Sequence, residues 1–172
     1  MNLKSIVGEY PDFPKKGVLF RDFNPILRDP AAFKETVDRI SDVISPDDID
    51  VFAGIESRGF ILASVMALRH NKGMITLRKA GKLPGKTIKE SYTVEYGQDT
   101  LEIQRDAVRE GQRVMICDDL LATGGTAAAA AALVEEAGGD VAGFLFIIEL
   151  AGLGGSAKIS RYKRESLLVY DG

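Results

Sequence analysis

Two adjacent aspartates, Asp118 and Asp119, lie between an apolar run and a glycine-rich segment in the stretch VMICDDLLATGGT, residues 114–126. The apolar run predicts a buried strand, and the alanine-rich run after the glycines predicts a helix. The first amides of a helix have no partner within the helix, and glycines let the backbone approach a ligand closely. The segment 123–126 therefore predicts a site for an anion such as phosphate.

The two carboxylates beside this segment suit the rest of a sugar phosphate. If the 5-phosphate of a ribose occupies the glycine-rich segment, the ribose hydroxyls can donate hydrogen bonds to Asp118 and Asp119. A nearby divalent cation would relieve the repulsion between the two acids. The alternative is a helix start with a spare acid, which fits a lone aspartate better than a pair. The spacing matches neither a Walker A loop nor a dinucleotide fingerprint.

Composition excludes several other classes of protein. The sequence has 172 residues, of which 45% are hydrophobic, so we expect one domain spanning residues 1–172. The net charge is −3 and there is no basic arm, which argues against a nucleic-acid partner. No apolar stretch reaches the roughly 18 to 20 residues that cross a bilayer, and no signal peptide begins the chain, so we expect a cytoplasmic protein without a membrane partner. His70 is the only histidine, which excludes a histidine triad; we expect it to be a cation at a helix C-terminus.

Strands and helices alternate along the predicted secondary structure. The predicted helices cover 31–44, 57–70 and 124–137, and the predicted strands cover 50–55, 74–78, 113–117, 140–150 and 167–171. Residues 79–90 are predicted to be a mobile basic loop, and 92–97 with 100–105 an antiparallel hairpin at the sheet edge. This order predicts an α/β fold with a mainly parallel twisted sheet and helices on both faces. Ligands bind at the carboxyl ends of such strands, where Glu56, Asp118 and Glu149 fall.

The stretch VMICDDLLATGGT resembles the phosphoribosyl pyrophosphate signature of type I phosphoribosyltransferases. Three other segments resemble adenine phosphoribosyltransferases: FPKKGVLFRDFNPIL (13–27) their base-binding segment, ESRGF (56–60) their pyrophosphate loop, and RKAGKLPG (78–85) with SYTVEYG (91–97) their flexible catalytic loop. The resemblance runs from about residue 10 to about residue 150. It implies the type I phosphoribosyltransferase fold, with a small N-terminal hood and a flexible catalytic hairpin loop.

This resemblance also implies an activity, with a role for each matching residue. The activity is Mg²⁺-dependent transfer of a phosphoribosyl group from 5-phospho-α-D-ribose 1-pyrophosphate to adenine, which gives AMP and pyrophosphate. This reaction serves purine salvage. The resemblance also implies a homodimer in which Arg78 reaches the other subunit. The 5-phosphate would be bound by Ala122, Thr123, Gly124, Gly125 and Thr126, and the ribose hydroxyls and the metal, directly or through water, by Asp118 and Asp119. Pyrophosphate would be bound by Ser57, Arg58, Arg78, Lys79 and Lys82. Adenine would contact Leu19, Phe20, Arg21 and Leu150, and Glu95 beside Tyr96 would handle its proton. A cis peptide is implied at Glu56-Ser57.

Without the resemblance, most of these residues have simpler explanations. Lysine-rich loops are usually solvated, Phe20 fits a core, and Glu95 fits an exposed hairpin. Three other functions also remain: a phosphoribosyltransferase for 6-oxopurines or orotate, a regulator that senses the pyrophosphate ligand and binds nucleic acid, and a non-catalytic relative. The segments GVLFRD and RKAGKLPG favour adenine as the acceptor, and the loop lysines with Glu95 favour an active enzyme.

Overall fold

The computed structural model describes residues 1–94 and 97–172. Its residues form two compact units, Met1–Asp42 and Val43–Gly172. Glu95 and Tyr96, which were predicted to handle the proton of the base, lie outside the described residues. None of the helices within the described ranges is long and apolar enough to cross a membrane.

The first unit holds a two-stranded antiparallel sheet followed by two helices. The strands are β1 (Gly8–Pro11) and β2 (Leu19–Asp22), and the helices are α1 (Asn24–Arg28) and α2 (Pro30–Asp42). The Asp29 carboxylate accepts hydrogen bonds from the amides of Ala31 and Ala32 at 2.9 and 3.2 Å. These bonds satisfy amides that the first turn of α2 leaves without partners. The helix predicted over 31–44 is confirmed, but it begins one residue earlier and ends two residues earlier than predicted.

The second unit holds a seven-stranded sheet in the order β5-β6-β4-β3-β7-β8-β9. Its strands are β3 (Val51–Ile55), β4 (Gly73–Lys79), β5 (Thr87–Val94), β6 (Gly97–Gln104), β7 (Arg113–Leu121), β8 (Asp140–Leu150) and β9 (Arg164–Tyr170). The five adjacent strands β4, β3, β7, β8 and β9 are parallel to one another. The β5–β6 hairpin lies at the edge, where β6 is antiparallel to both β5 and β4. The predicted mainly parallel sheet with an edge hairpin is therefore confirmed.

The helices α3 (Gly59–Arg69) and α4 (Gly125–Glu136) cover opposite faces of this sheet. Side chains alternate between the two faces of a strand. Gly54 of β3 faces α3, because a Cβ built on Gly54 would lie 3.1 Å from Ala63. Its neighbours Ala53 and Ile55 belong to the buried apolar cluster that contains the alanines of α4. The predicted layering, with helices on both faces, follows from this alternation.

Among the predicted boundaries, the start of the hairpin and the end of β7 differ most from the structure. The hairpin begins at Thr87, inside the segment 79–90 that was predicted to be a loop, because β5 pairs with β6 along its whole length. Within that pairing, Lys89 lies opposite the buried Glu102, with its Nζ atom 3.3 Å from the carboxylate. Strand β7 also continues past the predicted end at residue 117, since residues up to Leu121 pair with β8. Cross-strand partners that are distant in sequence thus decide where these strands begin and end.

His70 follows the last residue of α3, as predicted, but its surroundings disfavour the positive charge that was expected there. Its ring stacks on Phe52 with the centroids 6.2 Å apart. Burial lowers the pKa of His70 from its ordinary value of 6.5, and the nearby charges of Arg69 and Lys72 lower it further. The imidazole is therefore neutral at pH 7.

Candidate active site

The glycine-rich segment 122–126 connects the end of β7 to the start of α4. Gly124 has a φ of +85°, a left-handed conformation that favours glycine, and α4 begins at Gly125. Among the described residues, no side chain forms a capping hydrogen bond at the N-terminus of α4. The first amides of α4 therefore keep the hydrogen-bonding capacity, and the helix dipole the partial positive charge, that a phosphate needs.

A cleft of about 190 Å³ opens over this segment. Eight of the residues that were predicted to bind the substrate or the metal line it: Arg58, Asp118, Asp119, Ala122, Thr123, Gly124, Gly125 and Thr126. Most of them are contiguous in sequence, at the carboxyl end of β7. Arg58 arrives from a distant segment, so its presence in the cleft is a tertiary feature.

Arg58 lies beside the aspartate pair because α3 begins against β7. A Cβ built on Gly59 would lie 2.6 Å from the Cys117 carbonyl oxygen and 3.2 Å from Oδ1 of Asp118. Only a glycine permits this approach. The peptide between Glu56 and Ser57, just before α3, is cis, as the resemblance implied. Ser57 itself is exposed.

The two aspartates occupy different electrostatic environments. Asp119 is 8% exposed, and its Oδ2 atom lies 2.7 Å from Nε of Arg58. Asp118 accepts a hydrogen bond of 2.8 Å from the Asp119 amide. Burial of its carboxyl group raises the pKa of Asp118 well above the ordinary value, and the adjacent charge of Asp119 raises it further. The repulsion between the two aspartates is therefore relieved in two ways. Asp119 forms an ion pair with Arg58, and the raised pKa of Asp118 favours its uncharged form.

Glu56 contacts two of the cations that were predicted to bind pyrophosphate, Arg78 and Lys82. Its carboxylate accepts a hydrogen bond of 2.7 Å from the Lys79 amide and contacts the Lys82 ammonium. The Nε atom of Arg78 lies 3.3 Å from Oε2 of Glu56. Burial opposes the charge of Glu56, but the hydrogen bonds from Lys82 and from the Lys79 amide outweigh it and lower the pKa. Sequence reasoning noted Glu56 only as a strand-end acid and missed this role.

The side chain of Lys79 contacts the β5–β6 hairpin at the edge of the sheet. Its ammonium contacts the carboxylate of Asp99 and lies 3.1 Å from the hydroxyl of Tyr92 and 5.6 Å from the centroid of the Tyr92 ring. Arg78 lies over Phe60 of α3, 5.8 Å from the ring centroid. Neither side chain lines the cleft over the glycine-rich segment. A role in catalysis requires each of them to leave these partners.

Glu149, the acid at the end of β8, forms structural contacts rather than lining the cleft. Glu149 is 4% exposed and bonds to Arg164 Nη2 at 3.1 Å and to the Ser166 hydroxyl at 2.6 Å. Burial opposes its charge, and these two bonds lower its pKa. Glu149 therefore ties β8 to β9, and only Asp118 of the three strand-end acids lines the cleft. Leu150, predicted to contact adenine, ends β8 and is partly buried.

The three residues predicted to read adenine lie on β2 of the first unit. Phe20 is half-buried, and the Phe13 ring meets it edge-on with the centroids 5.2 Å apart. The guanidinium of Arg21 contacts the Glu9 carboxylate across the β1–β2 pair. Leu19 is 42% exposed. The strand thus presents apolar surface next to backbone groups.

The donors present at the acid pair suit a magnesium ion that is bound together with a substrate. Within residues 1–94 and 97–172, no three histidine, cysteine, aspartate or glutamate side chains gather closely enough to hold a metal by themselves. Mg²⁺ is commonly held by one or two carboxylates together with substrate phosphates and water. Asp118 and Asp119 supply this kind of incomplete ligand set.

A parallel sheet with an acid pair and a phosphate-binding turn at one strand end is the arrangement of a phosphoribosyltransferase, and residues 26–171 match the phosphoribosyl transferase domain family. The chain is 63% identical to the adenine phosphoribosyltransferase of Nitrosopumilus maritimus over 170 residues, which cover 99% of this chain and all of that protein. It therefore belongs to the adenine phosphoribosyltransferase family.

Solved structures agree with this assignment. The adenine phosphoribosyltransferase of Thermoanaerobacter pseudethanolicus superposes with a TM-score of 0.94 at 45% identity, covering 98% of both chains. The Saccharomyces cerevisiae enzyme, crystallised with adenine and an imino-altritol bisphosphate, superposes with a TM-score of 0.90 at 40% identity, covering 96% of both chains. The type I phosphoribosyltransferase fold predicted from the sequence is confirmed.

Proposed function

We propose that this protein is a cytoplasmic enzyme of purine salvage that transfers the phosphoribosyl group of 5-phospho-α-D-ribose 1-pyrophosphate to adenine, giving AMP and pyrophosphate. The observation that carries the proposal is the single cleft that joins the turn 122–126, the acid pair and Arg58. The turn is suited to bind a phosphate, the acid pair is suited to bind two ribose hydroxyls, and Arg58 is suited to bind pyrophosphate. The names of the relatives supply adenine as the acceptor.

The ribose 5-phosphate part of the donor binds at the end of β7. Amides of the turn 122–126, with the hydroxyls of Thr123 and Thr126, hold the 5-phosphate. The ribose hydroxyls donate to Asp118 and Asp119.

The pyrophosphate of the donor is bound by cations from the loop and from the start of α3. Arg58 and the backbone around Ser57 contact it first, because Arg58 already lines the cleft. Arg78, Lys79 and Lys82 follow when a highly anionic ligand draws them from their carboxylate partners. The contacts of Arg78 and Lys82 with Glu56, and of Lys79 with Asp99, give these cations a defined position before the donor binds.

We assign Leu19, Phe20 and Arg21 of β2 to the binding of adenine. The Phe20 ring stacks on the purine, and backbone groups of Leu19 and Arg21 pair with its amino edge. Leu150, which ends β8, is the other residue that we expect to contact the base. The exposed edge of β2 supports this assignment, and so does the yeast relative, whose crystal contained adenine together with a phosphorylated sugar analogue.

The reaction exchanges one bond at the anomeric carbon. A ring nitrogen of adenine forms a bond to this carbon while the bond to the pyrophosphate oxygen breaks, and the proton of that nitrogen passes to Glu95, with Tyr96 beside it. Positive charge on the ribose and negative charge on pyrophosphate both grow in the transition state, so Arg58, Lys79 and Lys82 stabilise the leaving group. Mg²⁺, held by Asp118 and Asp119 directly or through water, adds positive charge there when bound.

The enzyme acts as a homodimer joined through the outer face of α3. Ile61, Val65 and Leu68 recur at helical spacing on that face, and Leu68 is 85% exposed. Ile61 and Val65 are partly buried, and covering such a stripe of apolar side chains with a second copy would stabilise it. Arg78 packs on Phe60 of the same helix, which places its guanidinium near the proposed interface and within reach of a second subunit.

One assay tests the proposed reaction. The purified protein is incubated with the pyrophosphate donor and Mg²⁺, and adenine, hypoxanthine, guanine and orotate are offered separately while nucleotide products are separated by chromatography. We expect AMP to form much faster than the other three nucleotides. Preferential formation of another nucleotide, or none at all, would contradict the proposal.

A further inference from the structure

A segment close to the C-terminus lies directly behind the phosphate-binding turn. Gly155 is buried, and a Cβ built on it would lie 2.3 Å from the Ala122 carbonyl oxygen and 2.9 Å from the Gly124 amide nitrogen. Conversely, a Cβ built on Gly124 would lie 2.4 Å from the Gly155 carbonyl oxygen. The two backbones are therefore in direct contact, and neither position leaves room for a side chain.

The segment that follows Gly155 is fixed to α4 at two further points. Ile159 is fully buried in the apolar cluster that includes the alanines of α4. Glu135, near the end of α4, accepts hydrogen bonds from the Tyr162 hydroxyl at 2.6 Å and from Arg161 at 2.7 Å. We name residues 155–162 the C-terminal strap, because they contact the turn at one end and α4 at the other.

We infer that Gly155 is a positioning residue for the 5-phosphate site, and that the C-terminal strap sets where the amides of the turn 122–126 point. The inference rests on the proposed function, since it concerns the same site. The carbonyl of Ala122 and the amide of Gly124 are the backbone groups in contact with Gly155, and both belong to the turn. A hydrogen bond weakens steeply with distance and angle, so a small displacement of the turn weakens every bond to the phosphate.

The adjacent glycine supplies a matched control. Gly154 has a φ of +70°, but a Cβ built on it meets no atom within 4 Å. Gly155→Ala forces the turn to move, whereas Gly154→Ala adds the same methyl group without touching the turn. Comparing the two variants separates displacement of the turn from the general cost of an alanine in this segment.

Binding of ribose 5-phosphate, measured by calorimetry, is the primary readout because it requires only the proposed phosphate and ribose sites. We expect Gly155→Ala to weaken this binding by roughly tenfold to a hundredfold and to raise the KM of the pyrophosphate donor by a similar factor. The KM of adenine should stay within about twofold, as should all three quantities in Gly154→Ala. A loss spread equally over both substrates would indicate a structural role only and would overturn the inference.

A milder variant covers the case in which Gly155→Ala does not fold, as judged by circular dichroism. Tyr162→Phe keeps the ring and removes the hydroxyl that bonds to Glu135, so it loosens the strap at its far end. We expect it to weaken ribose 5-phosphate binding by about threefold. Wild-type affinity in a folded Gly155→Ala would refute the inference, and if Gly155→Ala does not fold, wild-type affinity in Tyr162→Phe would refute it. If the wild-type protein binds ribose 5-phosphate but makes no AMP, the proposed function fails while the binding data still decide the role of Gly155.

Discussion

The guanidinium of Arg58 and the carboxylate of Asp119 join two segments that are far apart in sequence, with Nε 2.7 Å from Oδ2. Arg58 lies just before α3, and Asp119 lies near the end of β7. In the proposed reaction these groups have separate ligands: the acid takes ribose hydroxyls, and the arginine takes pyrophosphate. Donor binding therefore exchanges one internal ion pair for two contacts with the substrate.

This exchange predicts a large effect of neutralising Asp119. Asp119→Asn keeps the size of the side chain but removes the charge, so both the hydroxyl contacts and the pairing with Arg58 weaken. We expect kcat/KM for the donor to fall by roughly tenfold to a hundredfold, as is typical for loss of a hydrogen bond to a charged group. Steady-state AMP formation measures the effect, and Asp106→Asn, at an exposed position outside the cleft, serves as the control.

The double variant Asp118→Asn with Asp119→Asn sharpens this prediction. We expect it to lose more activity than the single variant while its circular dichroism spectrum stays native. Near-normal turnover in the double variant would remove the proposed ribose-binding role from both acids.

Lys82 is predicted to stabilise the leaving pyrophosphate. In the structure its ammonium contacts the carboxylate of Glu56, whose side chain is buried, while the side chain of Lys82 itself is half exposed. Lys82→Ala should lower kcat by about 10²-fold, because a cation directed at developing negative charge acts mainly in the transition state. Its KM for adenine should change little. Lys86→Ala, an exposed lysine in the same loop, is the matched control, and equal rates for the two variants would contradict the prediction.

The amino-acid sequence predicted the part of the site that is local in sequence. Asp118, Asp119 and the turn 122–126 fall within nine consecutive residues, so a strand, a turn and a helix start are enough to bring them together. The alternation of strands and helices likewise predicted the sheet, because apolar runs of strand length between helical repeats leave few other arrangements. Strand β8 was predicted with the bounds that it has in the structure.

The parts that sequence reasoning missed depend on contacts between distant segments. The grouping of Arg78 and Lys82 around Glu56 requires the loop after β4 to return to the end of β3. The contact of Gly155 with the turn requires the C-terminal strap to pass behind α4. Neither contact has a local pattern in the sequence, since a glycine pair and a lone glutamate are common in ordinary loops.

The lowered pKa of His70 predicts how stability depends on pH. The unfolded chain binds a proton at His70 near pH 6.5, whereas the folded chain resists protonation because the ring is partly buried beside Arg69 and Lys72. Between the two pKa values the unfolded state therefore holds more protons, so the free energy of unfolding decreases as the pH falls below about 6.5. Because His70 is the only histidine, this decrease should be traceable to one residue.

Urea denaturation at pH 7.5 and pH 5.5 measures this effect. As the pH falls from 7.5 to 5.5, the wild-type midpoint should shift toward lower urea concentration relative to the midpoint of His70→Gln, whose side chain does not titrate. Asp118 contributes to the pH dependence of both proteins with the opposite sign, since its pKa is raised, and so it cancels in the comparison. An identical pH dependence in the two proteins would show that His70 titrates alike when folded and unfolded.

The final prediction concerns the interface of the proposed dimer. Leu68→Glu places a charge in the apolar stripe of α3, where Leu68 is 85% exposed in the single chain. A buried, unpaired carboxylate costs far more than an exposed one, so the variant should dissociate. Light scattering coupled to size-exclusion chromatography should then report the mass of two chains for the wild-type protein and of one chain for Leu68→Glu. Val169→Glu changes an exposed apolar residue outside α3 and should stay dimeric. A dimeric Leu68→Glu protein would place the interface on another surface.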